Sequence, residues 1–246
     1  MAAPPLILDL SFLPPGQMMA PRIVGSAIEG GASLSGLSQA SDVTGGGFLA
    51  IQYSNIQLGN ANRDRILFFN RLAVALQGGI RTCVVPLMTD YIAPYLDSQF
   101  AFGVSPGLIS TKFSDGATFS DGATFSQPPV SGLIGQAAAA GSATVNLTVI
   151  GGRPLQGGEW FGVRHMNKSF RAYCVTDIDL FIDNGNGNYG YIVGIRPTLR
   201  DAVISQMIVD WWRPRCLMRI KPGSDPTLLL QDFWYATPSF DFIEAF

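Results

Sequence analysis

Two hydrophobic periods divide this chain of 246 residues. Over 62–77 the apolar residues Ile66, Phe69, Leu72, Ala73 and Leu76 recur at helical spacing. Asn62 is placed to cap that helix, Asp64 suits its first turn, and Gly78-Gly79 ends it. Nearly everything else reads with period two. Strands are predicted near 22–29, over 48–58 after Gly45-Gly46-Gly47, and over 81–87, where Pro86 argues for an edge or a bulge. After 142 the pattern is wholly β, with strands over 143–150, 159–163, 170–182 and 189–195 and a last pair near 206–220 and 227–235. The expected fold is mainly β: a barrel or two-sheet sandwich with one flanking helix. Ile178, Leu180, Ile182, Val193, Ile195, Met218 and Ile220 are its expected core.

Two strands alternate with some clarity. Over 211–221, Arg213, Arg215, Arg219 and Lys221 share one face, and Pro214, Cys216, Met218 and Ile220 share the other. The basic side reads either as an ordinary solvated face or as a docking face for an acidic neighbour. Over 170–182, Ile178, Leu180 and Ile182 alternate with Asp177, Asp179 and Phe181.

Between the helical and β regions lies a stretch of a different kind. Residues 113–126 read F-S-D-G-A-T, F-S-D-G-A-T, F-S, which spaces Phe113, Phe119 and Phe125 six apart. Asp-Gly favours tight turns, so each unit is a turn carrying one aromatic anchor. Residues 103–141 are therefore expected to form an extended arm inserted into a composite β domain of 1–102 and 142–246, its three Phe filling apolar pockets on a neighbouring chain. Three buried Phe contribute roughly 5–9 kcal/mol before ordering costs.

Composition agrees with a covered surface. Charged residues make up only 14% and apolar ones 47%, where a solvated monomer surface carries about 25–35% charge. The net charge of −2 gives no general attraction to nucleic acid or an anionic membrane. The start, M-A-A-P-P-L-I-L-D-L, has neither the basic flank nor the unbroken apolar run of a signal peptide, and no stretch reaches the ~20 apolar residues of a membrane helix. Cys83, Cys174 and Cys216 sit among apolar neighbours and read as buried free thiols.

Several catalytic patterns match in letters and fail in chemistry. Gly103-Val104-Ser105-Pro106-Gly107 resembles a nucleophile elbow, but Pro106 lacks the N–H that its oxyanion hole needs. Gly185-Asn186-Gly187-Asn188-Tyr189-Gly190 matches a dinucleotide fingerprint yet opens a strand, so it reads as a hairpin loop. The loop from Asp183 lacks the Gly and Glu of a calcium loop at the required positions. Asp177 and Asp179 read as exposed carboxylates rather than a catalytic pair, and His165 has no metal-ligand neighbours at useful spacing. No catalytic, cofactor or metal residue emerges, and the expectation is a non-enzyme.

The order P-L-Q-G-G-E-W-F-G-V, F-R-A-Y-C-V, I-R-P-T-L-R-D-A-V and W-W-R-P-R-C-L-M-R-I over 152–220 resembles tail proteins of tailed bacteriophages. The F-S-D-G-A-T run and G-G-I-R-T-C-V-V-P-L are similar to minor tail or tail-tip proteins of long-tailed phages of Gram-negative hosts. The resemblance covers about 62–220. It implies a distal tail protein with a tail-tube-like β fold, in a ring, typically a hexamer, that joins tail tube to tail-tip hub and lets DNA pass. Its partners would be other copies of itself, the tube protein and hub proteins. It would be made in the host cytoplasm and end in the virion. The alternative is a carbohydrate- or receptor-binding module using Trp211, Trp212, Trp234 and Tyr235.

Overall fold

The computed structural model describes residues 5–8, 13, 15–25, 27–30, 39–42, 46–59, 63–87, 93–95, 109–111, 125–127, 130–185, 187–224 and 235–246. In chain order the elements are β1 (Leu6–Ile7), β2 (Gln17–Met18), β3 (Arg22–Val24), β4 (Ala27–Gly30), β5 (Gln39–Asp42), β6 (Phe48–Ser54), β7 (Leu58–Gly59) and α1 (Arg63–Ala75). They continue with β8 (Cys83–Pro86), β9 (Ile109–Thr111), β10 (Phe125–Gln127), β11 (Ser131–Ile134), β12 (Thr144–Ile150), β13 (Trp160–His165) and β14 (Ser169–Asp183). The last are β15 (Asn188–Arg196), β16 (Ile208–Asp210), β17 (Arg215–Ile220), β18 (Tyr235–Ala236) and β19 (Phe240–Glu244). Strand takes 48% and helix 9%, so the chain is mainly β with one α-helix among the described residues.

One layer is a mixed sheet in the order β1-β8-β17-β19-β6-β2, with β3 also on β6. Its registers set Met218 against Cys83, Cys216 against Val85, Phe242 against Ile51 and Phe240 against Tyr53. Those side chains form one buried face, on which α1 lays Phe69 and Leu72. Phe69 meets Phe240 at 5.0 Å between ring centroids. The helix stops at Gly78 and Gly79, with φ of 63° and 93°. Gly79 is also needed for space: a Cβ there would stand 2.7 Å from the Ile220 carbonyl oxygen, so a larger residue would push the helix off β17.

The second unit is a closed barrel, β11-β12-β15-β14-β13-β16, built from one unbroken stretch of chain. β16 closes it by pairing with both β11 and β13. Alternation sends Val145, Leu147, Val149, Phe161, Val163, Tyr173, Val175, Val193 and Ile195 inward around Trp211. The outward residues Trp160 and Ala172 join the sheet's core instead, so the barrel sits on the sheet through β13 and β14.

The mainly β fold with a barrel and one flanking helix is as expected, the barrel accompanied by a second sheet. The structure departs from the sequence reading in four other places. The sheet takes strands from both ends of the chain, up to β8 and again from β17, while the barrel is an unbroken insert of 131–210 between them. Within 103–141, Ser131–Ile134 is barrel strand β11 and Ala138 bridges Val203. Gly132 explains why that segment belongs inside: a Cβ there would lie 2.4 Å from the Trp211 indole nitrogen.

The expected core is the third departure. Val193, Ile195, Met218 and Ile220 are buried, but Ile178, Leu180 and Ile182 are 37%, 44% and 50% exposed. β13 pairs with β14 only as far as Cys174, and two register shifts then leave Thr176 and Asp179 without a partner on β15. Simple alternation could not survive both bulges. Finally, the apolar C-terminal end F-D-F-I-E-A-F supplies a central strand, β19.

Candidate functional site

Of the arm, β9 and β10 form an antiparallel hairpin in which Phe125 pairs with Thr111. Both complete hexads lie in the chain between these strands, and Phe113 and Phe119 fall outside the described residues, as do Trp234 and the 103–107 serine motif.

The basic face forms largely as its alternation predicts. Arg215 and Arg219 of β17 are exposed, as is Lys221 just beyond it, with Leu217 half-buried between the arginines. Arg213 stands instead in the turn before the strand. There its N–H donates to Asp210 Oδ1 at 3.1 Å, and its guanidinium lies 4.4 Å from the Trp212 ring. Arg215 sits 5.6 Å over Phe170 of β14. None of the four cationic groups makes an ion pair among the described residues. Beside them a cleft of about 80 Å³ is lined by Arg22, Gln52, Lys221 and Asp241.

A second surface went unseen in the sequence. From Thr176 to Asp183, β14 runs on past the end of β13 with every residue exposed. β15 pairs with it on one side only. Leu180 and Ile182 share the outer face with Ile192 and Gly190, opposite which they register. Phe181 lies on the other face, stacked with Tyr189 at 5.7 Å and Tyr191 at 5.5 Å. The turn at its tip is the predicted hairpin loop: Asn184 N–H donates to the Asn188 carbonyl, and Asp183 Oδ1 accepts from Gly185 N–H at 2.8 Å. The bulge at Asp179 also takes it out of step with Asp177, which alone registers opposite Gly194. The signal that could have revealed this ribbon is charge. From 172 to 195 the chain carries Asp177, Asp179 and Asp183 and no basic residue.

A third cluster is structural. Glu244 of β19 is buried with Arg171 of β14 at 3.2 Å and with Arg200 at 2.9 Å. Its Oε2 also accepts from Leu49 N–H at 3.2 Å, and Arg171 donates to the Ala245 carbonyl. The Phe246 ring underlies both guanidiniums, at 5.5 and 4.8 Å. One carboxylate thus ties β6, the barrel and the C-terminal strand together. Next to it His165 Nε2 lies 2.6 Å from the Tyr173 hydroxyl. Burial holds His165 below the usual histidine range, which suits a neutral ring near Arg171.

The remaining chemistry is that of a packed interior. Burial pushes the Cys83 and Cys216 thiols up to about 12 and the Cys174 thiol to about 11, so none is a ready nucleophile. Glu159 is pushed up to about 7, chiefly by burial, against the opposing effects of Gln156 N–H and Arg153. No group of three or more metal-ligating side chains occurs among the described residues, and none of their helices is long and apolar enough to cross a membrane. Trp211 is wholly buried and so cannot face a sugar. No protein-family model and no curated protein matches this chain.

Proposed function

We propose that the chain is a structural, non-enzymatic subunit of a phage tail, assembling into a closed ring at the distal tail between tail tube and tip hub. The observation that carries this reading is the β14–β15 ribbon. Half of an ordinary barrel strand runs on past the end of its neighbour β13 with four large apolar side chains exposed in eight residues. Contiguous exposed apolar surface of this kind marks contact with another macromolecule. The low charge content, the hairpin that flanks the Phe hexads and the unpaired basic face all favour the same role. Closed symmetry is the default for soluble homo-oligomers, and a head-to-tail contact that closes makes a ring.

Mass photometry with electron microscopy of the purified chain tests this directly. A closed ring, six-fold if the resemblance holds, is the expected result; a monomer at every concentration would overturn it. Changing Phe113, Phe119 and Phe125 together to Ser should release subunits, and an unaltered ring would remove the arm from the contact.

A further inference from the structure

We propose that the acidic ribbon of one copy seats on the basic face of a second copy, so that the subunit contact is head-to-tail and electrostatically keyed. The inference rests on the ring reading above and names the partner of its docking face.

The two surfaces are complementary in charge. The ribbon carries Asp177, Asp179 and Asp183 with no cation between Arg171 and Arg196. The basic face carries Arg213, Arg215, Arg219 and Lys221 with no acid between Asp210 and Asp225 in the chain, and Asp241 of β19, across from Lys221, is the one acid the registers place beside it. Both have apolar side chains set between the charges. Leu180 and Ile182 stand exposed on the ribbon, and Leu217 and Ile243 lie half-buried on the sheet face, Ile243 directly opposite Arg219. Gly190, opposite Ile182, presents no side chain on the ribbon's outer face.

Geometry excludes closure within one chain. Arg215 stacks over Phe170, near the start of β14, whereas Asp183 ends that strand. Thirteen extended residues span roughly 40 Å, so the tip of the ribbon cannot reach its own basic face. A symmetric pairing of two ribbons edge to edge is also disfavoured, because it would set two groups of three carboxylates against each other. The basic face relieves that repulsion, and it lies elsewhere on the molecule. Each copy then offers one ribbon and one face, which is the heterologous geometry that closes into rings.

Paired charge reversal decides the matter. One variant carries Asp177→Lys and Asp179→Lys; Asp183 is left alone because it holds the turn through Gly185. The other carries Arg219→Glu and Lys221→Glu, sparing Arg215 on its aromatic shelf. Each variant alone should sediment as a monomer with an unchanged circular dichroism spectrum. An equimolar mixture should regain oligomers, because alternating copies restore both charge pairings. Variants that assemble like the parent would overturn this contact while leaving the ring reading intact, as would monomeric variants whose mixture stays monomeric. A monomeric parent chain would overturn both. Should a variant fail to fold, the parent supplies the test. Its association should weaken at least several-fold in chloride as ionic strength rises from about 0.01 M to about 1 M and the Debye length falls from about 30 to about 3 Å. Insensitivity to salt would overturn the keyed contact.

Discussion

The two halves of β14 are alike in apolar content and opposite in environment. From Ser169 to Val175 the strand reads S-F-R-A-Y-C-V, and even its arginine is buried. From Thr176 to Asp183 it reads T-D-I-D-L-F-I-D, at least as rich in large apolar residues, and all of it is exposed. Apolar content does not separate them; the three Asp of the second half and the neighbours of each half do. The first half pairs with β13 from Ser169 to Cys174 and meets β15 at Cys174 and Val175, with the sheet's core beneath Ala172. The second half keeps only β15. An exposed apolar edge is a liability in a monomer, and on the proposed reading a second copy covers it. That difference gives a ranking of substitutions by their effect on the lone subunit.

The largest effect is expected at Arg171. Replacing it by Ala strands Glu244 in a buried site with one cation fewer, and breaking a buried pair costs about 3–5 kcal/mol. Urea denaturation followed by tryptophan fluorescence should show that loss. A change below about 1 kcal/mol would mean that Arg200 alone holds Glu244, and the junction would then be weaker than its geometry implies. Val175→Ala comes next, at about 2 kcal/mol, since it removes two methyl groups from the filled barrel interior.

How far the sequence disclosed this arrangement follows from the same strand. Helix α1 was legible because five apolar residues kept one period and Gly78-Gly79 gave a stop. β17 was legible because Cys216, Met218 and Ile220 never broke step with Arg215 and Arg219. β14 was half legible: its apolar pattern continues unbroken past Cys174, but burial depends on where β13 ends, which only the run of Asp177, Asp179 and Asp183 hints at locally. Glu244 was invisible for a related reason. A lone acid in F-D-F-I-E-A-F acquires meaning only through Arg171 and Arg200, 73 and 44 residues away. Alternation reports a strand's faces, while lateral partners decide which face is covered.

The boundary between the halves supplies a graded, pH-dependent effect. Glu159 sits there: its carbonyl accepts from Val175 N–H at 2.8 Å, and the neighbouring Gly158 N–H donates to the Val175 carbonyl. The folded chain holds the Glu159 proton up to about pH 7, against an ordinary value of 4.5. Between those values the native state binds more protons than the unfolded one, so this group makes stability fall as pH rises and rise again on acidification. Thermal melts of the parent and Glu159→Gln should therefore diverge in slope across that window. The Gln variant should be flatter, and parallel curves would show Glu159 ionised throughout, held by Arg153 at 2.6 Å.

The smallest effect is expected where apolar content is highest. Ile182 is 50% exposed, and its cross-strand neighbour is Gly190, which offers no side chain to pack against. Ile182→Ser should thus leave the subunit's unfolding free energy within about 0.5 kcal/mol of the parent, the usual range for surface changes. The contrast with Val175, seven residues earlier on the same strand, is the informative quantity, since both are β-branched apolar residues in opposite surroundings. Measured under conditions that keep the chain monomeric, equal losses at the two positions would place Ile182 in a core and remove the ribbon as a docking surface. A loss at Val175 alone, together with weaker self-association of the Ile182 variant, would locate the missing neighbour of β14 on another copy.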